Sequence, residues 1–490
     1  MIEIQTKIHD RFSIEFKVGF SGREGVKVDH FDVNSWMFLP NALDINKATY
    51  DKDRFYSDMK SNVRLLTPSF SMTEMAEGED APLQHVRKSL EAFGTEPTQE
   101  RMNEFEFQLK LFGSIFKSSI RDASSAIIRN LPDVHTCDRC KLWTSGVREV
   151  LKGFRDLYAL IEPLDASKEE IRSKFSFVDE FMSHQVEIRS TRIMKAMDRR
   201  EAAELKPARA MMEEVYLEEE AYKTQQGYSR AIIGDGENNR KLVHRHSLLK
   251  KYVESVLYLR VNTTQDGVAV KQISFSLAAG LAMMVSLLAT MPFQKYLGNY
   301  PLLIFITVVA IYMLKDRIKE LTRWLFAYQL KDKYYDNKTV VSIKDRSIGW
   351  IKEGMDFISD DKVPSEVLKL RNRNKLEADN QVLEERIILY RKRVEIDNAK
   401  LKNHYDYDFK GINDIIRYHI NHLTLKMDNP ESVVDIMDER HRVQTVHAER
   451  VYILHFVMQF KWEDNVEYKA FRVLVSRDGI LEINTNENEN

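Results

Sequence analysis

Polar and apolar positions are least mixed between Ile273 and Leu314. The run ISFSLAAGLAMMVSLLATM is followed by PFQK and then YLGNYPLLIFITVVAIYML, and Lys295 in the short turn is its only charged residue. Each arm has about 19 residues, enough at a rise of about 1.5 Å per residue to cross a hydrocarbon layer of roughly 30 Å. The pattern predicts a transmembrane helical hairpin over 273–314. The alternative is a buried hairpin of a soluble protein, but such a helix keeps a polar stripe at period 3.6. The first arm offers only Ser and Thr for one. The strictly apolar part of the second arm, Pro301 to Leu314, is shorter than a usual span. It reaches spanning length through Tyr296 to Tyr300, and tyrosine at a helix end suits the headgroup boundary.

The pattern differs on either side. Ile2 and Ile4, then Ile14, Phe16, Val18 and Phe20, alternate with polar residues, and Trp36 to Pro40 forms a third apolar run. Residues 1–45 therefore read as a β segment. From 46 to 262 the spacing becomes helical. Residues 71–81 read as a loop, and a helix ends near Gly94. A long helix follows, carrying Met102, Phe105, Leu109, Phe112, Phe116, Ile120 and Ile127 on one face. Val147 to Leu160 reads as another helix, Ser167 with Glu170 as the capping box of the next, and Arg240 to Arg260 as the last. The expectation is a cytoplasmic bundle of antiparallel helices, some of coiled-coil length.

Beyond the hairpin, Ile318, Leu321, Leu325 and Tyr328 keep helical spacing and predict a stalk. Residues 315–490 then mix helices (348–358 and 364–379) with strands at Thr339–Ile343 and Arg386–Ile396. Val451–Trp462, Tyr468–Val475 and Ile480–Ile483 make an antiparallel meander. The fold class expected is an α+β membrane protein: a mostly helical cytoplasmic bundle, a two-helix transmembrane hairpin and a C-terminal α+β unit.

Charge adds orientation. Lys315, Arg317, Lys319, Arg323, Lys331 and Lys333 follow the second arm; Arg260 and Lys271 precede the first. By the positive-inside rule both termini belong in the cytoplasm. The net charge of −2 gives no basic field for nucleic acid. Met1-Ile-Glu-Ile-Gln lacks a signal-peptide pattern. The only cysteines, Cys137 and Cys140, exclude a disulfide framework and fit a reducing compartment.

Candidate chemistry is sparse. His135, Cys137 and Cys140 could supply three corners of a tetrahedral zinc site, but no second ligand pair exists and only His184 or another chain could complete it. The competing reading is two reduced thiols in an interhelical loop, and no cofactor is expected. His419, His422, His441, His447 and His455 invite a metal reading only if they converge. Val268-Ala-Val-Lys271 mimics a kinase lysine strand without a glycine-rich loop before it or the catalytic motifs after it. Ser274, Ala278, Ala282, Ser286 and Thr290 recur every four residues, a spacing that lets helices approach closely in lipid. The arms carry no acidic, basic or histidine residue for a proton relay.

These observations lead to a membrane-anchored, cytoplasm-facing scaffold or assembly protein. Its partners would be the lipid bilayer, other proteins and a second copy in a homo-oligomer. The alternatives are a homo-oligomeric pore gated by the soluble domains, or a membrane-tethered enzyme using the C-terminal α+β domain.

Overall fold

The computed structural model describes residues 2–23, 25–162, 168–200, 202–296, 301–330, 334–343, 346–372, 385–402 and 407–485. The strands are β1 (Ile2–Asp10), β2 (Ser13–Ser21), β3 (Val28–Pro40), β4 (Met59–Leu65), β5 (Arg260–Gln265), β6 (Asn337–Ile343), β7 (Arg346–Ile358), β8 (Glu385–Asp397), β9 (Gly411–His419), β10 (Glu431–Met437), β11 (Val443–Glu449), β12 (Tyr452–Trp462), β13 (Asn465–Ser476) and β14 (Gly479–Thr485). The helices are α1 (Lys52–Asp58), α2 (Met72–Ala76), α3 (Pro82–Thr95), α4 (Gln99–Arg129), α5 (Thr136–Asp156), α6 (Lys168–Asp198), α7 (Lys206–Gln226), α8 (Gly236–Glu254), α9 (Val268–Tyr296), α10 (Pro301–Leu330), α11 (Ser365–Arg371), α12 (Asn398–Lys402) and α13 (Asn421–Thr424). The class is mixed α+β with antiparallel sheets.

Two compact units divide the chain. The sheet unit holds Met1–Arg64, Leu259–His404 and Lys410–Asn490; the helical unit holds Leu65–Tyr258 and Tyr405–Phe409. Residues 46–64, placed with the helices by their spacing, therefore belong to the sheet unit, where they supply α1 and β4.

The sheet unit contains a four-stranded sheet, β1-β2-β9-β4, and an eight-stranded sheet, β14-β13-β12-β3-β8-β7-β6-β5. The β12–β13–β14 meander follows the alternating pattern and its Asp478-Gly479 turn. The N-terminal strands do not stand apart from it. β3 lies between β12 and β8, and β2 pairs with β9, for example Phe16 opposite Ile416. The sheets share an aromatic core: Phe16 packs on Phe456 at 5.6 Å and on Phe471 at 5.9 Å between ring centroids, and Phe55 packs on Tyr390 at 5.6 Å.

Several local readings are corrected. Residues 348–358 form a strand, not a helix. Ile348, Ile351 and Met355 do recur at helical spacing, but Gly349 to Ile358 pair in register with β8, and that pairing outweighs local periodicity. Residues 71–81 are not all loop: the Ser71 side chain and the Glu74 backbone close a capping box that starts α2. The helix from Arg240 stops at Glu254, and Arg260 already begins β5. The Ser167 end of the expected capping box, and residues 373–379 of the expected 364–379 helix, lie outside the described residues.

In the helical unit, α4 and α6 are each 31 residues long. They run parallel. Lys174 meets Glu106 at 2.6 Å, and further along a Cβ on Gly113 would stand 3.0 Å from Val178. Phe112, Phe154 and Phe175 stack face to face at the centre of the bundle.

Candidate functional site

The paired helices α9 and α10 form an insertion between two neighbouring strands. β5 and β6 are antiparallel partners up to Gln265 opposite Asn337, and the chain between them holds both helices. The base of the insertion is tied down. Asp266 N–H donates to the Asp336 carbonyl at 3.3 Å, while the Asp336 carboxylate accepts from Tyr56 OH at 3.0 Å and Met355 N–H at 2.8 Å. Gly267, at φ +70°, lies against the Tyr334 ring, where a Cβ would come within 2.6 Å. Only glycine fits both the backbone and the contact.

Val268–Met291 is long and apolar enough to cross a membrane, with a mean hydropathy of 1.9, and only 11% of its window is buried. No second helix among the described residues is as long and apolar. α9 packs on α10. Ala278 and Ala282 are buried, while Ser274, Ser286 and Thr290 are half-buried on the same face. On α10, Ile311 is buried and Thr307, Ile318 and Thr322 are half-buried. Ser274 and Thr290 turn their hydroxyls back to the Val270 and Ser286 carbonyls at 2.9 and 2.7 Å, so neither is left unsatisfied. At the charged end Arg323 of α10 lies 5.4 Å from the Phe275 ring of α9.

The Cys137-Asp-Arg-Cys140 segment is not a loop. It forms the first turn of α5, where spacing at three residues places Cys140 inward. Cys140 is buried and Cys137 half-buried. Burial, with Cys137 alongside, pushes the Cys140 thiol up to about 11. His135 is exposed and faces Asp138 at 3.9 Å. His184 is occupied elsewhere: its ring stacks on His246 with 3.3 Å between centroids, and its Nδ1 faces Glu187 at 3.4 Å. Among the described residues no group of three His, Cys, Asp or Glu side chains is placed to hold a metal ion.

The C-terminal histidines do not converge. His419 Nδ1 contacts Ser13 Oγ at 2.8 Å, and that hydroxyl donates to Asp10 Oδ2 at 2.8 Å. Having spent its proton on Asp10, Ser13 accepts from His419, the reverse of what a histidine base would need from a nucleophile. His422 instead meets Asp58 at 2.8 Å, and Tyr50 OH donates to the same carboxylate at 2.8 Å. His447 on β11 faces Glu431 at 3.5 Å.

A buried ionic cluster in the sheet unit matches none of the sequence motifs. Lys392 on β8 meets Asp414 on β9 and Glu353 on β7, the latter at 2.9 Å, and Tyr390 OH donates to Glu353. Burial opposes the ammonium, but Asp414 and Glu353 override it and hold the Lys392 pKa above the ordinary lysine range. Burial likewise opposes the Glu353 carboxylate, which Lys392 and Tyr390 nevertheless hold below its usual range. A signal was present. Lys392 falls in phase with Ile388, Tyr390, Val394 and Ile396, on the inward face of its strand.

The helical unit has a second polar cluster. Asp179 accepts from Arg155 Nε at 3.0 Å, Tyr222 OH at 2.8 Å and Tyr228 OH at 2.9 Å; Glu219 takes the other end of the Arg155 fork. Arg155, Asp179, Tyr222 and Tyr228 themselves line a cleft of about 670 Å³, together with Tyr158 and Arg172. In both clusters each carboxylate is matched by donors, an arrangement that holds a fold together.

No protein-family model, curated protein or solved structure matches the chain.

Proposed function

We propose that this chain is a membrane-anchored scaffold or assembly protein, held in the bilayer by α9 and α10, with both folded units and both termini on the cytoplasmic side. The observation that carries the reading is the exposure of α9. A core helix of a soluble protein hides its apolar residues, whereas Leu277, Met284, Leu288 and Met291 are each more than half exposed. An apolar surface of that length has a natural partner in acyl chains.

The strand pairing supports a return crossing. β5 and β6 are hydrogen-bonded neighbours, so the insertion leaves and re-enters the sheet unit at one place. If α9 crosses the bilayer, the chain must come back, and α10 is the segment that follows. Lys315, Arg317, Lys319 and Arg323 then sit just inside the membrane, where anionic headgroups attract them by about 1 kcal/mol each. The internally paired clusters of both units suit a scaffold better than a catalyst.

The test is to replace residues 268–333 by a short Gly-Ser linker. The full chain is expected to stay in the membrane fraction through an alkaline wash. The excised form is expected to be soluble and to keep the circular dichroism of the two units. A full chain that is soluble and monodisperse without detergent would sink the proposal.

A further inference from the structure

α8 and the loop before it turn a basic and apolar surface to solvent. The inward half of α8 is committed: Leu242, Leu249 and Val253 are buried, Arg245 reaches Glu180 at 2.7 Å and His246 stacks on His184. The outward half is not an ordinary polar face. Arg240, Val243, Leu248, Lys250 and Lys251 fall on it at helical spacing and are all exposed. Glu237 is the one acid on that half, and Lys241 answers it at 2.7 Å. The loop is fixed rather than free. The Asn239 side chain donates to the Ile232 carbonyl at 2.8 Å and accepts from the Ile232 N–H at 2.9 Å, and Asn238 donates to the Arg230 carbonyl at 2.9 Å. These bonds lay residues 230–232 along the first turn of α8, and Gly234, at φ +86°, turns the chain into the helix. Ile233 at the bend is fully exposed and Ile232 is 46% exposed. A loop held this way cannot fold its isoleucines under itself, so their apolar area stays in water until something covers it.

We propose that this surface docks on the anionic cytoplasmic leaflet, with Ile232 and Ile233 entering the headgroup layer and Arg230, Arg240, Lys250 and Lys251 meeting the lipid anions. The proposal rests on the anchoring by α9 and α10 argued above. Charge selects the occupant. Arg230, Arg240, Lys241, Lys250 and Lys251 stand against Asp235 and Glu237, whose carboxylates are already spent on the Asn238 N–H and on Lys241, so the surface is net positive. Cations spread along a helix, with apolar side chains between them, suit a layer of anionic headgroups over acyl chains, which presents no fixed contour to match. Only residues 255–267 separate α8 from α9, so the helix is close in sequence to the segment that enters the bilayer.

The experiment places an environment-sensitive fluorophore on Ile233→Cys in the full chain, with Cys137→Ser to remove the accessible native thiol, and reconstitutes the protein in nanodiscs. In discs containing phosphatidylserine the emission is expected to shift to the blue and to lose about half its intensity to lipid spin-labelled near the headgroup. In discs of phosphatidylcholine alone, and in the double variant Arg240→Glu, Lys251→Glu, both effects are expected to be lost. The two substituted residues are exposed, so the fold is not at stake. A label that stays in water in phosphatidylserine discs overturns the docking. Quenching of equal strength in phosphatidylcholine overturns it as well, because the cations would then have no role. A blue shift without quenching means that protein, not lipid, covers the loop, and overturns it too. These outcomes are read on chains that have entered the disc. A chain that stays soluble outside the disc instead overturns the anchoring itself, and the docking with it.

Discussion

Lys392 and Asp414 are paired across the two sheets of the sheet unit, an ammonium from β8 against a carboxylate from β9, with both side chains almost wholly withdrawn from solvent. Glu353 completes the set at 2.9 Å from the same ammonium. A buried pair of this kind adds little net stability over well-packed apolar residues, but breaking it strands a charge.

Lys392→Met is therefore expected to cost about 3–5 kcal/mol in urea unfolding, because it leaves Glu353 and Asp414 buried without their cation. Replacing all three residues by apolar side chains of similar volume is expected to recover most of that loss. The pH dependence has a defined sign. The raised Lys392 pKa contributes stability that is complete below 10.5 and fades as pH rises through the folded value. The lowered Glu353 pKa contributes stability above 4.5 that fades as pH falls through the folded value. A lysine loss below about 1 kcal/mol would mean that water reaches the cluster.

His246 gives the helical unit an acid-sensitive point. Burial first, then His184 and Lys223, depress its pKa from 6.5 to about 4, against the opposing pull of Glu187, with Arg245 adding to the depression. The neutral ring is the folded form. Its contribution is complete above pH 6.5 and is lost as pH falls from there toward 4. His246→Phe should keep the stack on His184 and remove the titration. Between pH 7 and pH 4 the wild type is expected to lose about 2 kcal/mol more than the variant. Parallel stability profiles would contradict this assignment.

How much of this was legible beforehand depends on whether the cause was local. The alternation of Phe16, Val18 and Phe20, the stripe along α4 and the uninterrupted run of α10 are written within one element, and the structure follows them. Strand partners are different. Nothing near Phe38 names Ile387 as its neighbour, and only the completed sheet brings them together. β7 was misread because its inward residues recur every three or four positions while both of its edges are paired. The site evidence divides the same way. The four-residue repeat of small side chains is visible in sequence, whereas the set of Lys392, Glu353 and Asp414 depends on three strands that the fold brings together.

The cysteines offer a direct chemical test. Cys140 is buried, with its thiol pushed up to about 11, while Cys137 is half-buried at the start of the same helix. At pH 8, mass spectrometry is expected to find iodoacetamide on Cys137 well before Cys140, which should react only after unfolding. Metal analysis is expected to find no stoichiometric zinc. One tightly held zinc per chain, lost in Cys137→Ser, would reverse this.

Topology can be read with tags at the two termini. Both are expected to resist protease added outside intact cells, since the insertion returns to the sheet it left. Cleavage of one tag alone would leave a single crossing and refute the paired-span reading.

The seam between α9 and α10 is the last test. In lipid there is little hydrophobic drive between helices, so close contact has to come from packing. Ala278 and Ala282 are buried against α10, and a leucine at either has no room unless the backbones separate. Overpacking of this kind costs about 1–3 kcal/mol. Gly280 is the control, because a Cβ there would meet nothing within 4 Å. Gly280→Leu should therefore be neutral or mildly stabilising, because glycine is a poor helix former. Ala278→Leu and Ala282→Leu are expected to lower the detergent-resistant stability of the full chain by about 1–3 kcal/mol each. Equal tolerance at all three positions would mean that α9 and α10 do not pack through this face in a membrane, and that the repeat of Ser274, Ala278, Ala282, Ser286 and Thr290 is an accident of composition.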